Sequence, residues 1–419
     1  MASDLVADRR RRRGSLATAA VAFALAVAML GTTLPTPLYV LYRERFGFSE
    51  LMITVIFATY AAGVIASLLL FGRLSDQIGR RRVLLPGLVL SALSAVAFLL
   101  AHGLALLLLG RILSGLSAGI FTGTATATLV DLATPDRRGR ATLVATVANM
   151  GGLGAGPLLA GLLSQWAGSP LQLAFYVDLA LVAVASVGIW AMPEPVATRG
   201  RPRLRPQGLT VPREMRTTFW HAALAGFAGF AVLGLFTAVA PAFLGLELGV
   251  TSTAVVGLVV FAVFAGSMAG QAVVARLPEG VAMPAGCVAL IAGMVSLALG
   301  LALLALPLLV LGGVIAGFGH GLSFRAGLAA VNASAPVEQR AAAASSFFVV
   351  MYVAISLPVI GVGVLAQATG LRPAGLIFAA AVAGVATVAL VLLRRRSRSR
   401  AGAARPGRSL RRARHATIG

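Results

Sequence analysis

Apolar residues fill this chain in long runs, separated by short polar segments. A membrane-spanning helix needs about 20 mostly apolar residues. A window of that length finds twelve such runs, at 15–39, 51–71, 83–102, 105–130, 141–163, 172–192, 218–243, 253–275, 282–302, 304–330, 341–366 and 372–393. The pattern predicts an all-α integral membrane protein with twelve transmembrane helices.

The second half of the chain repeats signals of the first half at an offset of about 202 residues. The recurring pairs are Gly115 with Gly317, Gly119 with Gly321, Pro135 with Pro336, and Pro157 with Pro358. Such repeats are typical of transporters that place a site between two halves. We therefore expect two six-helix pseudo-repeat halves. The predicted parts are a basic cytoplasmic N-terminus (1–14), an N-terminal half (15–192), a cytoplasmic linker (193–217), a C-terminal half (218–393) and a basic cytoplasmic tail (394–419).

Composition and charge support a membrane protein and set its orientation. Charged residues make up 11% of the chain and the mean hydropathy is +0.92, which excludes an ordinary soluble domain. The net charge of +22 comes from arginines clustered between the runs and at both ends, so it indicates cytoplasmic flanks rather than nucleic-acid binding. We expect a multi-pass plasma membrane protein, in the inner membrane of a bacterial cell, with both termini cytoplasmic. The first run continues to Pro35, so it is interpreted as an uncleaved anchor rather than a signal peptide.

A turn-forming charged motif, Gly72-Arg-Leu-Ser-Asp76-Gln-Ile-Gly79-Arg80-Arg81-Arg82, follows the second run. Its glycines permit a tight turn between neighbouring helices, and Asp76 can accept hydrogen bonds from arginines. A plainer interpretation is cytoplasmic charge with a short turn. The motif resembles the signature loop of the major facilitator superfamily, except at Gln77, where a basic residue is usual. The resemblance implies a charge network at the cytoplasmic ends of helices 4 and 11 that latches the two halves. The network residues would be Gly72, Asp76, Gly79, Arg80 and Asp131.

Two further motifs lie inside spans. Arg111, about seven residues into the fourth span, is costly in lipid, so it should face the bundle interior, although snorkelling to the interface is the alternative. Its segment resembles a superfamily motif linked to proton coupling.

In the fifth span Pro157 should bend the helix, and glycines should let a neighbour approach. This segment resembles the motif of exporting antiporters, with Ala160 in place of the usual glycine. Its residues are Gly152, Gly156, Pro157 and Gly161.

The candidates for proton coupling are few, because most acids lie in loops or at span ends. Asp178 is the only carboxylate well inside a span, unless it is an interfacial helix-start residue. His320 lies deep in the tenth span, where its ordinary pKa of about 6.5 would let it switch, unless it only packs there. Arg325 follows in the same span and needs a wet or paired position.

The motifs together resemble the drug:proton antiporter families. They imply proton-coupled efflux of small apolar or drug-like molecules by a monomeric transporter, in a lipid bilayer, without cofactor or metal and with no enzymatic activity. The chain contains no lysine and therefore no nucleotide-binding Gly-Lys motif. The alternative is a metabolite importer or facilitator, in which Arg111 and Arg325 would bind a small anionic solute.

Overall fold

Twelve long apolar helices form the described part of the molecule. The computed structural model describes residues 2–71, 74–166, 168–196 and 208–403, with the side chains of 2–13 and 396–403 left out. The helices are α1 (Gly14–Phe46), α2 (Glu50–Phe71), α3 (Arg80–Leu99), α4 (Leu104–Asp131), α5 (Pro135–Trp166), α6 (Leu173–Ala191), α7 (Arg213–Ala238), α8 (Thr253–Arg276), α9 (Ala282–Leu303), α10 (Leu306–Ser334), α11 (Val337–Thr369) and α12 (Leu371–Arg395). The predicted fold class and helix count are confirmed. Gly72, residues 197–207 of the predicted linker and residues 404–419 of the tail lie outside the described residues.

The internal repeat is visible in how the helices pack. Gly63 of α2 lies against the backbone of α4 beside Gly115, and Gly266 of α8 lies against α10 close to Gly317. A Cβ at Gly63 would meet the carbonyl of Ile112, and a Cβ at Gly266 would meet that of Val314. Glycines at these crossings let two backbones approach closely, as is usual in membrane bundles. The two halves therefore use the same small-residue contact at equivalent positions.

The two halves meet through the helix pairs α5 with α8 and α2 with α11. At one end, Gly161 of α5 packs on the backbone at Thr253, and the Ser164 hydroxyl donates a 2.9 Å hydrogen bond to the Thr253 hydroxyl. Gly363 of α11 lies against the Thr54 side chain of α2 in the same way. We call this end of the bundle the Thr253 end, and the opposite end, where α4 finishes, the Asp131 end.

The outer surface of the bundle is apolar. Large hydrophobic side chains such as Leu93, Val184 and Leu299 are about half exposed or more on helix faces that no other described helix covers. In lipid such faces need no polar cover. The chain is therefore a multi-pass membrane protein whose polar groups lie mainly inside the bundle.

Candidate functional site: a cavity between the two halves

A single large cavity of about 610 Å³ lies between the two halves in the described part of the chain. Its walls come from α1, α2, α4, α5, α7, α8, α10 and α11. It extends from Arg111 and Ile355 to Asp131 and Thr142, both of which are exposed. Beyond Arg111, toward the Thr253 end, the helices of the two halves pack directly. The cavity is therefore accessible from the Asp131 end.

Aromatic rings and small polar groups share the cavity wall. The aromatic residues are Phe57, Tyr60, Phe230, Phe264, Phe324, Phe348 and Tyr352. Tyr60 of the first half and Tyr352 of the second half meet edge to face, with ring centroids 6.0 Å apart. Between the rings lie threonine hydroxyls and the amides of Asn149, Gln271 and Asn332. A surface of this kind suits a compound with a large apolar or aromatic body and a few polar atoms.

Arg111 lies at the inner limit of the cavity and is 1% exposed. Its guanidinium donates to the carbonyls of Thr32 at 2.5 Å and of Phe57 at 3.2 Å, and it lies over the Tyr60 ring at 4.6 Å. These contacts tie α4 to α1 and α2, so the side chain faces the bundle interior rather than snorkelling. No carboxylate of the described residues forms an ion pair with it.

Arg325 lies closer to the open end and is half-buried in the cavity wall. It donates one hydrogen bond, 2.8 Å long, to the carbonyl of Gln271. A guanidinium has five N–H donors, and no described carboxylate pairs with this one. Arg325 therefore places a cation in the cavity with most of its hydrogen-bonding capacity unused by the protein.

His320 lies behind the cavity wall. It is fully buried, and its Nδ1 lies 2.8 Å from the Ser267 hydroxyl, which also accepts a 3.4 Å hydrogen bond from Gln271. The ring stacks on Phe324, with ring centroids 5.7 Å apart. Because Gln271 and Phe324 line the cavity, His320 is connected to it through one hydroxyl and one amide.

Asp178 is buried between α6 and α1 and does not line the cavity. It is 2% exposed, and a Cβ at Gly31 would lie 3.0 Å from its Oδ2. Its Oδ1 accepts no hydrogen bond from the described residues. Asp178 is therefore buried inside the bundle, as the sixth residue of α6. A charged carboxylate there lacks a compensating group.

At the Asp131 end three of the predicted network residues meet. The Arg80 guanidinium lies 2.6 Å from Asp76 and 2.9 Å from Asp131, and it donates a 2.6 Å hydrogen bond to the Ser75 hydroxyl. All these partners belong to the first half. The described residues contain no ion pair from this cluster to α11, so in this conformation it joins α4 to the turn before α3.

Glu194 also contacts this turn, and the sequence reasoning did not single it out. Its carboxylate accepts hydrogen bonds from the backbone N–H groups of Arg80, at 2.7 Å, and Arg81, at 3.0 Å. It thereby caps the N-terminus of α3, where a negative charge is favourable. Gly79 has φ +102°, and a Cβ there would lie 2.7 Å from the Glu194 carboxylate. Gly79 therefore serves the turn and this cap. A carboxylate directly after α6, in Pro193-Glu194-Pro195, was the available signal.

The proline of α5 frees a carbonyl that a neighbouring helix uses. Pro157 has no N–H, so the carbonyl of Leu153 loses its helical donor. The Thr33 hydroxyl of α1 donates to that carbonyl at 2.7 Å. Gly152 and Gly156 face α1 at the same crossing, and Gly161 faces α8. The four predicted residues of this motif thus lie where α5 contacts both α1 and the second half.

Comparison with known proteins identifies relatives over parts of the chain. A segment of 92 residues is 38% identical to multidrug resistance protein MdtL of Escherichia coli, covering 22% of this chain and 24% of that protein. A segment of 139 residues is 33% identical to a triacylglyceride transporter of Mycolicibacterium smegmatis, covering 33% of this chain and 24% of that protein. The matched regions span about a quarter of these relatives.

Solved transporter structures share the fold over nearly the whole chain. A bacterial homologue of the human lysosomal transporter Spinster, inward-facing and unoccupied, superimposes with a TM-score of 0.70 at 16% identity, covering 91% of this chain and 97% of that chain. A peptide transporter bound to sulfate gives a TM-score of 0.74 at 15% identity, covering 91% and 94%. Residues 21–304 match the family model of the Major Facilitator Superfamily. The chain belongs to the Major Facilitator Superfamily and is a membrane transporter rather than an enzyme.

Proposed function

We propose that this protein exports small apolar or drug-like compounds across the plasma membrane in exchange for protons. The observation that carries the proposal is the aromatic cavity between the halves. It is accessible at the Asp131 end and is bounded by packed helices toward the Thr253 end. A central site that opens to one face at a time is what alternating access requires.

With both termini cytoplasmic, the conformation described here is inward-open. Export then requires the contacts at the Thr253 end to separate while the Asp131 end closes. On the side that must close, Arg80 is buried, whereas its partners Asp76 and Asp131 are exposed to 61% and 34% of their side chains. We infer that this cluster meets the end of α11 in the outward-open state and acts there as the latch.

The direction of transport rests on two arguments. The Pro157 motif resembles that of exporting antiporters, and its Gly161 lies at the contact between α5 and α8 that must separate during the exchange. One partial relative carries the name of a multidrug resistance protein. Both favour efflux over uptake.

Asp178 and His320 are the proposed coupling groups. Neutral Asp178 is compatible with its unpaired position, whereas the anion requires water or a cation to approach. Asp178 contacts Gly31, and the next residue, Thr32, lines the cavity and accepts from Arg111. A change in the charge of Asp178 would therefore act on the α1 segment that forms the cavity wall. His320 would act through Ser267 and Gln271.

The test compares two transport modes in proteoliposomes. Asp178→Asn or His320→Gln, whichever removes the coupling group, should abolish accumulation driven by a pH gradient yet keep downhill exchange of substrate. We expect Asp178→Asn to show this split more strongly. Glu247→Gln, in a loop at the Thr253 end, is the control that should behave as wild type. Retained pH-driven transport in both single variants and the double variant would overturn the coupling proposal.

The orientation has its own test. On a background without Cys287, a cysteine beside Glu247 should react with an impermeant thiol reagent in intact cells, and a cysteine beside Arg138 should not. The reverse pattern would overturn the proposed orientation and, with it, the inward-open assignment.

The second candidate function is import or facilitated passage of a small anionic metabolite. Arg111 and Arg325 in the cavity wall favour it. Proton-coupled export and proton-coupled import move protons in opposite directions, and facilitated passage moves none, so one measurement of the lumen pH of vesicles separates the three.

A further inference from the structure

The charges that line the cavity are strongly unequal. Arg111 and Arg325 are its two cations, and Asp131 is its one carboxylate among the described residues. Asp131 is already paired with Arg80, which lies outside the cavity lining. The cavity therefore carries positive charge that no protein group inside it balances.

The two cations differ in what they can offer to a bound molecule. Arg111 is buried and lies over two rings, and it uses three of its five donors on main-chain carbonyls of α1 and α2. Arg325 donates to one carbonyl only and is partly exposed to the cavity. In the part of the cavity that the structure describes, Arg325 is therefore the more exposed cation and the one with more unused donors.

Aromatic residues line the same cavity as the Arg325 guanidinium. Phe324 precedes Arg325 in α10, and its ring packs on Phe348 of α11, with ring centroids 6.0 Å apart. Leu328 lies one turn further along α10, and all of these residues line the cavity. A planar guanidinium with unused donors suits a carboxylate, which it can bind through two parallel hydrogen bonds. The aromatic rings of the cavity wall suit the apolar body of such a compound.

We propose that the preferred substrates are amphipathic organic anions, with one carboxylate or similar group bound by Arg325 and an aromatic or alkyl body against the rings of α10 and α11. This inference rests on the proposed function and narrows it. An anion would also supply the charge that the cavity lacks. A cationic compound would meet two guanidinium groups and no unpaired carboxylate.

The test measures binding of three matched probes by calorimetry to the purified full-length protein in lipid nanodiscs, with empty nanodiscs subtracted. The probes are 4-butylbenzoate, the neutral 4-butylbenzamide and the cationic 4-butylbenzylamine, which share one body. Wild type should bind the benzoate about 10- to 100-fold more tightly than the amide, as expected for a charge-assisted hydrogen bond in a partly buried site. It should bind the amine most weakly.

Substitution of Arg325 should remove the preference without removing the cavity. In Arg325→Gln the benzoate and the amide should bind within about twofold of each other, with the amide close to its wild-type affinity. Arg325→Lys should restore part of the preference, since it keeps the charge and loses the planar fork. Arg372→Gln is the matched control, because Arg372 lies at the start of α12, outside the cavity, and donates to the Ala302 carbonyl.

Equal binding of benzoate and amide by wild type, or a preference that survives in Arg325→Gln, would overturn the inference. These results are independent of the direction of transport. If the protein prefers anions but a proton gradient does not drive its transport, the proposed function is overturned and the substrate class stands. Proton-driven export with no anion preference would do the opposite.

Discussion

Adding one methyl group at Gly161 should shift the transporter toward its outward-open state. Gly161 of α5 lies against the main chain of α8, and a Cβ there would overlap the carbonyl oxygen of Thr253. A main-chain atom cannot turn aside as a side chain can, so the helices must separate. The overlap exists only while the Thr253 end is packed. Gly161→Ala therefore destabilises the inward-open state selectively.

The size of the shift follows from the packing. Overfilling a close-packed contact costs about 1–3 kcal/mol, and a difference of that size changes a two-state equilibrium by about 5- to 150-fold. The ratio of outward-open to inward-open molecules should rise by that factor. A cysteine at Thr237, which lines the cavity and is 1% exposed, reports the change on a background without Cys287. Its labelling by an impermeant thiol reagent added outside intact cells should accelerate in Gly161→Ala.

The control is Gly384→Ala. Gly384 lies in α12, and a Cβ there meets nothing within 4 Å, so this variant makes the same change in helix propensity without the overlap. Its labelling rate should match that of the parent. An unchanged rate in Gly161→Ala would refute the idea that the α5–α8 contact holds the outer side shut.

Three other changes test the contacts around the site. Asp76→Asn should abolish most transport while the protein still inserts at normal levels, since it removes a charge from the proposed latch and touches no buried packing; wild-type transport rates would make Asp76 a topology charge only. Thr33→Val should lower the free energy of unfolding by about 1–3 kcal/mol, because the Leu153 carbonyl loses its donor. Thermal unfolding in detergent measures this loss against the control Thr59→Val, whose hydroxyl bonds only within its own helix. Equal unfolding midpoints for the two variants would contradict the role assigned to Thr33. Glu194→Ala should cost about 0.5–2 kcal/mol through loss of the α3 cap, measured in the same assay with Glu247→Ala as control, and no difference between these two would count against the cap.

The fold could be predicted from the sequence because lipid restricts the choices. Spans of about 20 apolar residues must be helices, so the twelve helix positions and the pairing of Gly115 with Gly317 were readable directly. The family followed from the motifs at Asp76, Arg111 and Pro157.

Contacts between distant parts of the chain were harder to predict. The resemblance to the signature loop implied that Asp76 and Arg80 belong to one charge network, but it did not indicate Glu194, which contacts the same turn from 114 residues away. Arg111 was expected to face the bundle interior, and its partners there are main-chain carbonyls, which every helix offers and no residue type reveals. The difference between Arg111 and Arg325 likewise depends on three-dimensional packing, since both are single arginines inside apolar runs.

Proton-coupled export is the central claim, and pH changes in inside-out membrane vesicles test it most directly. In such vesicles the cytoplasmic face points outward, and respiration acidifies the lumen. Adding an exported compound should raise the lumen pH, because protons leave as the compound enters. Vesicles containing Asp178→Asn should show no such rise if Asp178 carries the proton. Acidification of the lumen would indicate uptake together with protons. An unchanged lumen pH with a compound that the purified protein binds would indicate a facilitator. Either result would contradict proton-driven export.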